Sequence, residues 1–285
     1  MPTHTGCIVP REVTDQEAQF FREHGWARLD QLISSYDAGA LLARAQEVMG
    51  IDASTTRKDG REGGKSPQMP FNMWGPMSVG HLTGESVDPT FYGFSHSVEI
   101  GRAYAKLDGS SVRYNTDAVA VKMPSGLSET GANPTRWHSD DSGPPSSIFD
   151  SLETGRMMFW VALADVSYPQ GTMRFIGRRE QTDEVLDILT KYEHDPVASY
   201  PILEEMGVLS PPMDLKAGDA TIHTCGTYHS APPNSTRTPR WGYLHSVFRA
   251  HARFVAGDVV SNGVAGINGL VVGEEFPDYR FPVLA

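Results

Sequence analysis

The order in which secondary-structure signals follow one another restricts the fold of this chain more than any single motif. Up to residue 108 the sequence reads as helices and loops, and from residue 111 it becomes short apolar runs separated by clusters of Pro, Gly, Ser and Asp. These runs occupy 111–123, 157–164, 172–176, 219–223 and 241–248. Helices do not alternate with them, so the sequence points away from a parallel sheet and toward helices packed on an antiparallel sandwich. A double-sheet jelly roll satisfies the pattern. One domain over 1–285 is expected, with a helical part at about 14–108, a jelly-roll core at about 111–250 and a C-terminal extension at 251–285.

Local signals mark the helices. Thr14 and Glu17 form a capping box ahead of Phe20, Phe21 and Trp26, with Gly25 slowing the chain. A second helix over 37–49 sets Leu41, Leu42, Ala45, Val48 and Met49 on one face, and Gly50 closes it. A third is expected over 95–107, ending at Asp108 and Gly109, and residues 180–209 read as a helical insertion between strands. Residues 52–84 hold many Gly, Pro and charges around Phe71, Met73 and Trp74; so long an irregular stretch is either a lid or a mobile connection.

The 24 basic and 35 acidic residues give a net charge of -11, a field that repels nucleic acid and anionic membrane. No segment approaches the ~18 consecutive apolar residues that cross a bilayer, and the N-terminus has no apolar targeting core. Cys7 and Cys225 are too few for a disulfide framework, which fits a reducing cytoplasm. A soluble cytoplasmic protein acting on a small molecule is expected, and a homo-oligomer is compatible with this composition.

Chemistry concentrates in two places. In Thr135-Arg136-Trp137-His138-Ser139-Asp140-Asp141, an imidazole and a carboxylate stand two positions apart, on the same face of an extended segment. Alone, such a pair also reads as ordinary surface polarity. Some ninety residues later come Lys216-Ala217-Gly218-Asp219, His229-Ser230-Ala231-Pro232-Pro233-Asn234 and Arg240. His229 supplies the third member of a two-His, one-carboxylate set, which leaves positions open on a non-haem iron. Arg240 can then grip the far carboxylate of a dicarboxylate in bidentate fashion. Lys122 and Arg237 are further cations that could assist. His223 is a second histidine near His229, readable as a competing ligand or as a hydrogen-bonded barrel histidine; Trp137, Trp160 and Tyr114 read as core or as cavity wall.

With these residues in this order, the chain resembles the phytanoyl-CoA dioxygenase family of iron(II)/2-oxoglutarate oxygenases. The likeness runs through Phe21 to Gly25, Lys122-Met123-Pro124-Ser125-Gly126, His138-Ser139-Asp140-Asp141, Phe159 to Asp165, Gly171-Thr172-Met173-Arg174-Phe175-Ile176, Gly218-Asp219, and the closing set His229, Asn234 and Arg240. It implies a double-stranded β-helix, a cupin-like jelly roll. It also implies iron(II) on His138, Asp140 and His229, 2-oxoglutarate on Arg240 with Lys122 and Trp160 nearby, and dioxygen as co-substrate. The chain departs from the family at Gly177-Arg178-Arg179-Glu180, where Pro-Gly-Ser-His is usual, and at Ala217, where Pro is common. Both changes fall in turns. Asp140, where halogenating relatives carry a small residue, implies oxygenation rather than chlorination.

The length and the ending Phe276-Pro277-Asp278-Tyr279-Arg280-Phe281 are similar to those of family members that oxidise aminoglycosides of the kanamycin B type. That implies a polycationic substrate in antibiotic biosynthesis, hydroxylated at an amine-bearing carbon to leave a ketone and ammonia. Asp141, Asp150, Glu153 and Trp74 are the expected substrate contacts, and no feature of the sequence suggests an acyl-CoA, whose phosphates would want a basic pocket. Other secondary metabolites or amino acids, a zinc hydrolase on the same ligands, and a non-catalytic sugar-binding jelly roll remain open at this point.

Overall fold

A computed structural model describes residues 8–51, 72–74 (main chain), 78, 88–126, 134–140, 155–254, 270, 271 and 273–285. The chain opens with helix α1 (Asp15–His24), where the Thr14 hydroxyl accepts from the Glu17 amide while Glu17 reaches back to the Thr14 amide; Gly25, at φ 76°, ends it in the left-handed region. Strand β1 (Trp26–Leu29) follows at once, then α2 (Ser35–Met49), β2 (Asn72–Trp74), α3 (Pro89–Ser95), α4 (Val98–Asp108) and β3 (Val112–Lys122). The helix expected over 95–107 is α4, which starts at Val98, and α3 precedes it as a separate helix outside the expected range. Asp88 caps α3 ahead of Pro89, and the Ser97 hydroxyl accepts from Ile100 N to start α4 afresh.

Beyond β3 come β4 (Thr135–His138), β5 (Met157–Ala162), a short 3-10 turn, β6 (Arg174–Ile176), helices α5 (Asp183–Lys191) and α6 (Pro196–Glu205), then β7 (Ala220–Thr224), β8 (Tyr228–Ala231) and β9 (Arg240–Arg249). The insertion is a helical pair, broken where Glu193 and His194 take positive φ and Asp195 caps the next helix.

All named strand pairs are antiparallel. A six-stranded sheet has the order β1-β7-β5-β9-β3-β2, and a three-stranded sheet has the order β4-β8-β6. This is the expected jelly roll. Helices α1 to α4 cover the outer face of the large sheet, where Phe21, Leu41, Phe91, Ile100 and Leu107 bury against Tyr114, Val119, Val121, Phe159 and Tyr243. Helices α5 and α6 cover the small sheet through Val185, Leu189 and Leu203 against Trp137 and Ile176. Between the sheets, Trp160 and Ala162 of β5 meet Phe175 of β6. Alternation along each strand thus sends one set of side chains to the helices and the other into the barrel. Among the described residues no helix is long and apolar enough to cross a membrane.

Candidate metal centre

Strands β4 and β8 pair so that His138 lies opposite His229, and Asp140 follows two residues after His138. Cross-strand partners stand side by side, so the register alone brings both imidazoles to one point. Ligand atoms of His138, Asp140 and His229 lie within 4.8 Å of one another. Asp140 Oδ1 is 3.7 Å from His138 Nε2 and 3.8 Å from His229 Nε2.

The tautomers follow from the outer hydrogen bonds. His138 Nδ1 is 2.8 Å from the Arg136 carbonyl, and His229 Nδ1 is 3.0 Å from the Thr227 carbonyl. A carbonyl can only accept, so each Nδ1 carries the proton and each Nε2 turns a lone pair toward Asp140. That is the state in which imidazole binds a metal. Burial pushes the His229 pKa well below the ordinary histidine value, reinforced by the neighbouring histidines, which keeps the ring neutral. For Asp140, burial works against ionisation, but the hydrogen bond from His223 and the nearby His229, His223 and His138 rings together hold the carboxyl below the usual range.

His223, at the end of β7, is the histidine whose role the sequence left open. Its Nε2 lies 3.2 Å from Asp140 Oδ2, on the other oxygen from the one that faces the two histidines. Its ring centroid is 4.3 Å from that of His229. It touches the carboxylate rather than sharing the point where the three donor atoms converge.

Arg240 opens β9 directly opposite Lys122, the last residue of β3. Both are buried, 4% and 1% exposed, and neither has an ion-pair partner among the described residues. Arg240 donates from Nη1 to the Gly171 carbonyl, its Nε has no partner, and its guanidinium carbon stands 5.1 Å from the centroid of the Trp160 ring. Lys122 donates to Thr135 Oγ1 and the Ala231 carbonyl, each at 3.2 Å. Burial lowers the Arg240 pKa to about 10; burial first and then Arg240 lower that of Lys122. Two buried cations without an anion are costly to leave so, and the arrangement suits a bound carboxylate. Asn234 braces the approach to Arg240, donating to the Lys122 and Thr238 carbonyls. Gly242 leaves the space that Trp160 fills: a Cβ there would come within 2.2–2.4 Å of the indole.

Other expected residues sit elsewhere. Trp137 points out of the barrel, donating to Ser199 Oγ at 2.9 Å, and Tyr114 faces the helices with its hydroxyl on Asp117. Arg237 is exposed. Asp219 ties β1 to the β7 turn by accepting from Gln31 N, Lys216 N and Arg28. Asp141, Asp150 and Glu153 lie outside the described residues, as does the irregular stretch 52–84 apart from Ser78 and the main chain of β2. Of Trp74 the described part is its pairing with Val119.

Solved structures of like fold include the non-haem α-ketoglutarate-dependent epimerase SnoN of nogalamycin biosynthesis, with a TM-score of 0.65 and 21% identity over 95% of this chain and 98% of that one. The carbocyclase SnoK of the same biosynthesis aligns at a TM-score of 0.66 and 20% identity, over 97% and 99%. EvdO2 from Micromonospora carbonacea var. aurantiaca, complexed with 2-oxoglutarate, aligns at 0.54 and 17%, over 87% and 96%. No protein of curated function matches the chain by sequence. The profile of phytanoyl-CoA dioxygenase (PhyH) matches residues 21–242, and the chain therefore belongs to that family of iron- and 2-oxoglutarate-dependent non-haem enzymes.

Proposed function

We propose that His138, Asp140 and His229 hold iron(II), that Arg240 with Lys122 holds the far carboxylate of 2-oxoglutarate, and that the chain oxidises a C–H bond of a small natural product. One conjunction carries the reading. Three donor atoms converge with their imidazole protons turned outward, and in the same barrel a buried guanidinium keeps Nε unpartnered. A zinc hydrolase would use the first feature and leave the second without purpose.

Bound there, iron(II) and 2-oxoglutarate supply dioxygen activation, with 2-oxoglutarate leaving as succinate and carbon dioxide while a substrate C–H bond is oxidised. The chain's residues set the stage for it. Two imidazoles and one carboxylate leave ligand positions open for the co-substrate. Arg240 fixes its direction by a charge-assisted pair, and Trp160 keeps water from the guanidinium face.

For the substrate, the fold shared with nogalamycin enzymes supports an antibiotic-type natural product. The specific reading is an aminoglycoside of the kanamycin B type, supported by the net charge of -11. Succinate and ammonia are measured together after adding iron(II), 2-oxoglutarate, air and kanamycin B. Equal release of the two is expected. Succinate at only the uncoupled background rate removes the aminoglycoside, and no succinate with any of a panel of natural products removes the oxygenase reading.

A further inference from the structure

The middle strands of a jelly-roll sheet are covered on both faces, by helices outside and by the opposing sheet inside. Strands β5, β9 and β3 lie side by side in the middle of the large sheet, and almost every residue in them is buried. Apart from Arg249 at the end of β9, three residues break the rule: Thr116 in β3, Met158 in β5 and Leu244 in β9. The register makes them neighbours. Ser246 pairs with Thr116 on one side and Met158 on the other, and Leu244 stands two residues from Ser246 on the same face. That face looks into the barrel, since the alternate residues Met157, Phe159, Tyr243 and Val247 pack on the helix side. The three partly exposed residues thus mark one opening in the inner wall.

This opening lies beside the candidate metal centre. Met158 pairs with His223, whose Nε2 is 3.2 Å from Asp140 Oδ2. Leu244 pairs with Trp160, whose ring centroid is 5.1 Å from the Arg240 guanidinium carbon. On the same face, Ala118, Ala120, Ala162 and Gly242 separate the opening from the Lys122–Arg240 pair, so this stretch of wall carries no charge. Its polar groups are neutral hydroxyls; Ser246 Oγ accepts from Asn115 Nδ2 at 3.2 Å, which leaves its own proton for another acceptor. An ammonium or carboxylate set against such a wall would lose its water and gain no opposite charge, which is costly. An apolar ring face gains from the same contact, and the unbranched Met158 side chain adapts to its shape.

We infer that Thr116, Met158 and Leu244 are specificity-determining residues, and that the face of the substrate held beside the iron is an uncharged ring bearing hydroxyl or ether oxygens. This rests on the proposed iron and 2-oxoglutarate sites and narrows the substrate that they serve. Met158 and Leu244 take the apolar face of the ring, and Thr116 and Ser246 take its oxygens. An aminoglycoside fits only with its ammonium groups turned away from the large sheet.

The test uses protein loaded with iron(II) and 2-oxoglutarate under nitrogen, with the loading itself followed by calorimetry. Phenyl glucoside and phenyl glucosaminide are then titrated; they differ in one hydroxyl replaced by an ammonium group. Saturable binding of the glucoside at one per chain is expected, with the glucosaminide weaker by about tenfold or more. Met158→Glu places a carboxylate on the wall and should reverse that order, whereas Met158→Gln, of similar shape and no charge, should keep it. Val197→Glu, an exposed change on α6, should leave both affinities unchanged. Equal or tighter binding of the glucosaminide to the unaltered protein, no saturable binding of the glucoside, or an unreversed order in Met158→Glu overturns the inference. The first two outcomes are read without any variant. Failure of the initial 2-oxoglutarate loading overturns the Arg240 anchor instead.

Discussion

His223 Nε2 and Asp140 Oδ2 stand 3.2 Å apart, joining the large sheet to the carboxylate of the candidate metal centre. An ionised carboxylate only accepts, so His223 donates, and one oxygen of Asp140 is spoken for while the other faces His138 and His229. Removing a partner of a ligating carboxylate costs metal affinity by about 10–100-fold. His223→Ala is therefore expected to weaken iron(II) binding by at least tenfold, and His138→Ala, Asp140→Ala or His229→Ala to remove most of it. Equilibrium dialysis of iron under nitrogen measures all four. Unchanged affinity in His223→Ala would assign the histidine to packing alone.

Arg240→Ala should raise the KM for 2-oxoglutarate by two or more orders of magnitude, as a bidentate charge-assisted pair worth roughly 3 kcal/mol is lost. Lys122→Met should raise it less, because Lys122 already spends hydrogen bonds on Thr135 and Ala231. Succinate formation against 2-oxoglutarate concentration reads both. A normal KM in Arg240→Ala would move the anchor to Lys122.

Gly242→Ala touches no charged group. Its new Cβ would collide with Trp160, which lies beneath Arg240. Overpacking of this kind costs about 1–3 kcal/mol. We expect a lower Tm together with a raised KM for 2-oxoglutarate, the second being what a purely structural loss would not produce.

The pH dependence of folding should carry the mark of His245. Its ring is fully buried, with Nδ1 near Tyr104 OH and Nε2 near the Ser95 carbonyl, and burial lowers its pKa to about 3. The unfolded chain takes up a proton near pH 6.5 and the folded chain does not. Stability is then complete above pH 6.5 and drains away as pH falls toward 3, by about 2 kcal/mol at pH 5. His96, which packs on Tyr114 and is lowered to about 4 chiefly by burial, acts in the same direction. Denaturant unfolding between pH 5 and 8 measures the slope, and His245→Asn should flatten it.

How much of this was legible depended on whether the information was local. The His138, Asp140 and His229 cluster could be read because strand periodicity fixes which neighbours share a face, and the β4–β8 register then closes the set. Arg240 could be singled out from its place after His229, and the structure buries it opposite Lys122. The bond from His223 to Asp140 was not legible, since it depends on how β7 of one sheet meets the end of β4 of the other. Helix α3 and the start of α4 at Val98 were local but overlooked, because Asp88 and Ser97 are ordinary residues until their caps are formed.

The two ends of the proposed co-substrate site belong to different sheets. His138 and His229 come from β4 and β8, whereas Lys122 and Arg240 come from β3 and β9. A dicarboxylate gripped at both ends would act as a strut across the sandwich, bracing it while in place. Each turnover cuts that strut when 2-oxoglutarate becomes succinate. The barrel would then be stiffest before reaction and loosest as product departs, so amide exchange in β4 and β8 should slow on loading with 2-oxoglutarate and recover once it is consumed.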